Sequence, residues 1–214
     1  MEAGSVRFVR CGMTLLAAGV ALWSLRYWAA LSGGYPLIDP DIQRVIHHVP
    51  VQALTHMLVG PIALAAGPFQ FIPGLRARRP RLHRWTGRVY IVACLIAGAG
   101  ALATAPYASG GPFAGLGFGL LAVSWITANI GGWRAALAGN FAAHRIWMRF
   151  SYAMTFGAVT LRLQIPIGMI FLGFHSYSQM SPWLAYTSWI PNVIAVALYT
   201  ALTGSTLSAR PHPA

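Results

Sequence analysis

Apolar residues run along this chain in six long stretches, near residues 11–31, 51–72, 86–106, 113–137, 146–173 and 183–203, divided by short connections. Each is at or above the ~20 residues that carry a helix across a bilayer. None shows the two-residue alternation of a barrel strand, and a helix satisfies its backbone amides within its own span. The pattern therefore predicts an all-α integral membrane bundle of six transmembrane helices. No linker or internal repeat divides the chain, so residues 1–214 read as a single transmembrane helical domain. Chemistry, if present, has to lie between helices or at their ends. The tail from Ser208 reads as disordered.

Composition sharpens this picture. Hydrophobic residues make up 57% of the chain and charged residues 8%, against about 25% charged in a soluble domain. All 15 basic residues are arginines, opposed by Glu2, Asp39 and Asp41. Apolar runs separate the arginines, so the +12 charge does not form the continuous exposed face that nucleic acid needs. Membrane topology accounts for it instead. Arg7, Arg10, Arg76, Arg78, Arg79, Arg81, Arg84, Arg88, Arg134, Arg145, Arg149 and Arg210 fall on one side of a six-helix arrangement, while the other side's loops carry Arg44 alone. The positive-inside rule then places both termini in the cytoplasm. A signal-peptide reading of the N-terminus fits less well, because the first apolar run is longer than an h-region and ends without a small-x-small site. Cys11 and Cys94 lie inside apolar stretches and form neither a disulfide framework nor a CxxC pair.

Helical spacing groups the remaining polar residues into faces. In the second stretch His56, Gly60, Ala63, Gly67 and Gln70 share one stripe, which predicts close packing against the fifth stretch. In the third, His83, Gly87, Tyr90 and Cys94 rise along one face from the inner interface. In the fifth, His144, Met148, Ser151, Thr155 and Arg162 line one stripe, and Arg162 stands 18 residues, or about 27 Å of helix, beyond His144. Two clusters result. His56, Arg26 and Arg162 share the outer half, with Asp39, Asp41, His47, His48 and His175 in loops just beyond, whereas His83 and His144 share the inner interface. Two histidines at equal depth on different helices suit bis-imidazole ligation of haem, and nearby arginines suit its propionates. Loop histidines and His212 are more simply solvent-facing. The arginines of the second connection equally suit lipid headgroups, and those inside spans equally suit snorkelling.

Signatures for other chemistry are missing: the chain has no GxxxxGK[ST] loop, no HExxH and no membrane-embedded acid. That leaves no hydrolase or ATPase signature, and among enzymes a membrane oxidoreductase is the class these residues fit.

The motif string itself is distinctive. His56 with Gly60-Pro61 and Gly67-Pro-Phe-Gln-Phe71, then Leu82-His-Arg-Trp-Thr-Gly-Arg-Val-Tyr90, His144-Arg-Ile-Trp-Met-Arg-Phe-Ser-Tyr-Ala153 and Val159-Thr-Leu-Arg162, resembles the bacterial membrane proteins grouped as domain of unknown function 2306. The resemblance covers about residues 50–165 and leaves the stretches at 11–31 and 183–203 peripheral. It implies a multi-helix integral membrane protein without an established activity, and the localisation expected for this chain is the bacterial inner membrane, multi-pass. Its motif residues are His56, Gln70, His83, Arg84, Gly87, Arg88, Tyr90, His144, Trp147, Met148, Arg149 and Arg162.

Three functions fit these expectations. One is transmembrane electron transfer with haem b or a quinone, using His56, Gln70, His83, Arg84, Arg88, Tyr90, His144, Met148, Arg149 and Arg162 as cofactor-binding residues and His83 with His144 as iron ligands. Another is an anion- or lipid-binding or transport bundle that takes a small hydrophobic or anionic ligand. The last is a membrane assembly scaffold for a protein partner that the sequence does not identify.

Overall fold

A computed structural model of the chain describes residues 3–32 and 38–208, apart from the side chains of residues 3–7, 73 and 204–208. The side chain of Arg7, and Glu2, Arg210, His212 and the rest of residues 209–214, lie outside the described residues, whereas Ser208, expected in the disordered tail, closes the last helix. The described elements are helices throughout: α1 (Ala3–Trp23), continued by a 3-10 segment (Ser24–Ser32), α2 (Pro40–His48), α3 (Pro50–Ala66) with a 3-10 end (Gly67–Phe71), α4 (Pro73–Arg78), α5 (Pro80–Thr104), α6 (Gly111–Leu137), α7 (Phe141–Phe171), α8 (Tyr177–Thr187) and α9 (Ile190–Ser208). This is the all-α membrane bundle that the apolar stretches predict.

Five segments among the described residues are long and apolar enough to cross a membrane: Phe8–Ser32, Pro50–Phe71, Pro80–Tyr107, Gly111–Leu137 and Phe141–Phe171. The sixth expected stretch, 183–203, is divided. Residues 183–187 end α8 and the chain restarts as α9, whose Pro191 lacks an amide hydrogen and so suits a first helical turn.

The most extensive seam among the described residues joins α3 to α5. A Cβ added at Gly100 would stand 2.8 Å from the Gln52 carbonyl oxygen and 2.9 Å from the His56 amide nitrogen, so the two backbones touch there. Ala93, Ala97 and Gly100 supply the small face that permits this approach. The expected partnership of the second stretch with the fifth needs correction. It holds at Gly67, whose missing Cβ makes room for the Tyr152 ring of α7, but Gly60 meets nothing within 4 Å and the long contact of α3 runs along α5. Close backbone approach is set by where both helices are small, and α5 is small over more turns than α7.

A polar cluster occupies the centre of the bundle. The Tyr90 hydroxyl hydrogen-bonds Ser151 (2.7 Å) and Thr155 (2.8 Å), and the Trp125 indole donates to Thr155 (2.9 Å). The Cys94 thiol lies among Tyr90, Ser151, Thr155 and Asn129. With no water in the bilayer core, such hydroxyls satisfy one another and fix the register of α5, α6 and α7.

Candidate functional site

The end of the bundle that holds α2 and α8, named outer after the orientation expected from the arginines, encloses a cavity of about 540 Å³ walled by α1 and its 3-10 continuation, α2, α3, α5, α6, α7 and α8. Its first wall depends on a change of helix type. A 3-10 helix repeats every three residues, so Ser24, Tyr27 and Ala30 all turn inward, and Arg26 reaches the same space with its guanidinium 4.5 Å from the Trp23 ring and 4.6 Å from the Tyr27 ring. Arg26 Nη1 donates to the Trp23 carbonyl (3.0 Å) and Nη2 to the Tyr27 hydroxyl (3.1 Å).

Arg162 enters from α7. Its Nη1 donates to the Ala158 carbonyl (2.9 Å) and its Nη2 to Ser24 Oγ (3.3 Å), which turns it into the bundle rather than toward lipid. It lies within electrostatic reach of Arg26, His56 and Tyr177. His56 Nδ1 donates to the Ala97 carbonyl (3.0 Å), which leaves Nε2 of a neutral ring as an acceptor. Burial pushes the Tyr177 hydroxyl up to about 12, so Tyr177 stays neutral at the outer rim.

Four buried polar atoms without a hydrogen-bond partner belong to residues of this wall: Arg26 Nε, Arg162 Nε, Ser181 Oγ and Ser188 Oγ. Ser181 Oγ sits near the Tyr177 hydroxyl but outside hydrogen-bonding geometry. Among the described residues neither arginine has a carboxylate partner. Arg44 pairs instead with Asp41, at 3.2 Å. Asp39, the acid of the wall, accepts the Asp41 amide as the cap of α2 (2.9 Å). The remaining lining is apolar, with Phe118, Leu121, Ala122, Trp125 and Met154 at the deep side. Two guanidiniums over an apolar well can hold an amphiphile by acceptor oxygens on its head.

The α2–α8 end of this cavity is capped. Asp41 Oδ2 accepts the Ser178 amide (2.8 Å), and Ser109 donates to the Asp41 carbonyl (3.1 Å), which ties α2 to the start of α8 and to the α5–α6 connection.

The structure distributes the residues singled out from sequence over several places. His56 and Arg162 share the outer cavity, and Arg26, which the motif string did not include, joins them. Tyr90 belongs to the central polar cluster. At the inner end Gln70 donates to Thr86 (2.7 Å), with its side-chain oxygen against Gly87, and His144 Nδ1 donates to the Gly132 carbonyl (2.9 Å). His83 lies within electrostatic reach of His144 and Arg76, with Nδ1 buried and unpartnered. Met148 is buried against Gly132, and the Arg149 guanidinium stands 5.3 Å from the Tyr199 ring. Arg84 and Arg88 are exposed, as are His47, His48 and His175. His83 and His144 line neither the outer cavity nor the shallow inner one around Arg134 and Trp147, and no group of three or more metal-ligating side chains occurs among the described residues. Sequence reasoning missed Ser24, Tyr27, Tyr177, Ser181 and Ser188. The spacing of three between Ser24 and Tyr27 is the one signal that was present.

A family model described as a predicted membrane protein, DUF2306, matches residues 53–200. The match runs on through α8 and into α9, past the 50–165 segment that carries the motif string. Neither the curated proteins nor the solved structures provide a match to this chain.

Proposed function

The chain belongs to the DUF2306 family of predicted membrane proteins, and from the geometry of its outer cavity we propose that it is a non-enzymatic binding or transport bundle for a small membrane amphiphile whose head carries acceptor oxygens, an acid or a quinone. One observation carries this reading: Arg26 and Arg162 line the same cavity within electrostatic reach of each other, with no carboxylate partner and with Nε of each unsatisfied. An unpaired charge inside a span costs up to about 2.5–3.5 kcal/mol, the mid-span value, and two that repel cost more. A bound oxygen-rich head offsets both terms.

Native mass spectrometry of the full chain from mild detergent tests the proposal. Wild-type protein is expected to carry an acid or quinone mass, and Arg26→Gln with Arg162→Gln is expected to lose it while remaining folded. An adduct-free wild type, or a variant that keeps the adduct unchanged, contradicts the reading.

A second reading, transmembrane electron transfer through haem b, draws support from the inner pair. His83 and His144 are within electrostatic reach, and the bond from His144 Nδ1 leaves Nε2 free for iron. A Soret band lost in His83→Ala is the expected result under that reading, and its absence from protein made with haem supplied excludes it.

We further propose that the protein sits in the bacterial inner membrane with the arginine-rich ends of α5 and α7 in the cytoplasm. Cysteine labelling of whole cells is expected to reach Ser109→Cys from outside and Ala77→Cys only after permeabilisation. Labelling of both from one side contradicts this orientation.

A further inference from the structure

We infer that the outer cavity is loaded sideways from the outer leaflet, through the cleft between the Trp23 end of α1 and residues 166–169 of α7, and that its occupant is a single-chain lipid acid. This rests on the binding reading above and adds the class of ligand and its route.

The route follows from which wall residues are exposed. Among the described lining residues these are Trp23 (55% exposed), Met169 (37%) and Pro166. All three lie in segments long and apolar enough to span the membrane, so the opening between them faces lipid. On the water side the lining residues of α2 and α8 are buried or half-buried, and the Asp41 bonds to Ser178 and Ser109 hold that lid shut. Deeper down, Ala17 and Ala21 of α1 pack with Leu64 of α3 and Val159 of α7 and close the gap. Across the cleft itself α1 and α7 are joined by the long Arg162–Ser24 bond of 3.3 Å. The α-to-3-10 transition falls at Ser24, and a stretch of 3-10 helix inside a span marks a place where a helix can hinge.

The ligand class follows from charge and volume. Arg26, Arg162, His56 and Asp39 are the ionisable groups of the wall besides the tyrosines. Asp39 is occupied as the α2 cap, so an anionic head is drawn to the arginines, and an anion relieves their mutual repulsion where a neutral carbonyl does not. Guanidinium forks match the two oxygens of a carboxylate. A cavity of about 540 Å³, at the roughly 30 Å³ share of one water-sized group, takes about 18 such groups. One acyl chain headed by its carboxylate fills it, with its tail against Leu121 and Trp125 and the last groups of a longer acid extending into the lateral opening. A two-chain phospholipid exceeds it.

The test uses the full chain in phosphatidylcholine nanodiscs and 9,10-dibromo-octadecanoate, whose bromines quench tryptophan. The acid is expected to quench saturably, with a component that Trp125→Phe removes. Paired Arg26→Gln and Arg162→Gln is expected to weaken binding about tenfold or more, the loss of at least one charge-assisted hydrogen bond. The methyl ester of the same acid and decylubiquinone should bind more weakly by a similar factor, and brominated phosphatidylcholine should give no Trp125-dependent quenching. For the route, Trp23→Cys with Met169→Cys in a Cys11→Ser background is bridged by a bis-maleimide. Loading should slow about tenfold or more relative to the unbridged protein, with the final quenching unchanged. Decylubiquinone or phosphatidylcholine binding as tightly as the acid overturns the ligand class and leaves the binding reading standing. An unchanged loading rate after bridging overturns the route. If neither the acid nor decylubiquinone produces Trp125-dependent quenching or competes for the site, this inference and the reading beneath it both fall.

Discussion

Gly100→Leu is expected to abolish recovery of monodisperse protein, and Gly100→Ala to lower thermal stability in detergent by about 1–3 kcal/mol, the range for overpacking a closed interface. The reason is what lies opposite. The two atoms nearest an added Cβ, at 2.8 and 2.9 Å, are backbone atoms of α3, which have no rotamer in which to move aside. Relief therefore means parting α3 from α5 along their whole seam. That movement also pulls His56 away from the Ala97 carbonyl, less than one turn from Gly100, and opens the cavity wall that His56 forms. Gly60→Ala is the internal control, since a Cβ there meets nothing within 4 Å and gains the helix propensity that glycine lacks. Thermal unfolding monitored by size-exclusion chromatography separates the two. Equal behaviour of Gly60→Ala and Gly100→Ala would contradict the α3–α5 seam.

Arg162→Leu is expected to keep or raise folded yield and to abolish ligand retention. Removing the guanidinium forfeits its bonds to Ser24 and Ala158, but it also removes a charge costing up to about 2.5–3.5 kcal/mol inside the span and ends the repulsion with Arg26. The opposite signs of the two effects make the variant informative. Arg162→Lys retains a point charge without the planar fork, so it is expected to fold and to bind weakly. His56→Ala loses the tie to α5 and an acceptor at the cavity wall, and should lower both stability and retention. An arginine that served only to snorkel would tolerate lysine with yield and bound ligand unchanged. Comparing folded yield with co-purifying ligand across the three variants separates these roles.

The helical character and the separation into two polar ends were legible because spacing along one helix decides them. His56 and Arg162 lie at matching depth by counting rise alone. The convergence of Ser24 on Arg162 was not legible, since 138 positions separate them and their meeting depends on how α1 lies against α7. The same holds for Ser181 and Ser188, whose place in the cavity wall depends on how α8 and its C-terminal cap lie against the other helices. Arg26 was placed at the depth of His56 and Arg162 but left out of the binding set, because it falls outside the motif string. A 3-10 segment directs it inward, and the spacing of 3.6 used to assign faces does not represent such a segment. The preference of α3 for α5 over α7 depended on a comparison of small faces on two possible partners, and a single polar stripe on α3 does not make that comparison.

A cryo-electron microscopy map of the full chain in nanodiscs made with native lipid extract would show the occupant of the cavity. A continuous elongated density is expected, with its head between Arg26 and Arg162 and its tail along Leu121 and Trp125. A map in which the two guanidiniums point to the lipid headgroups, with no density between them, would contradict that expectation.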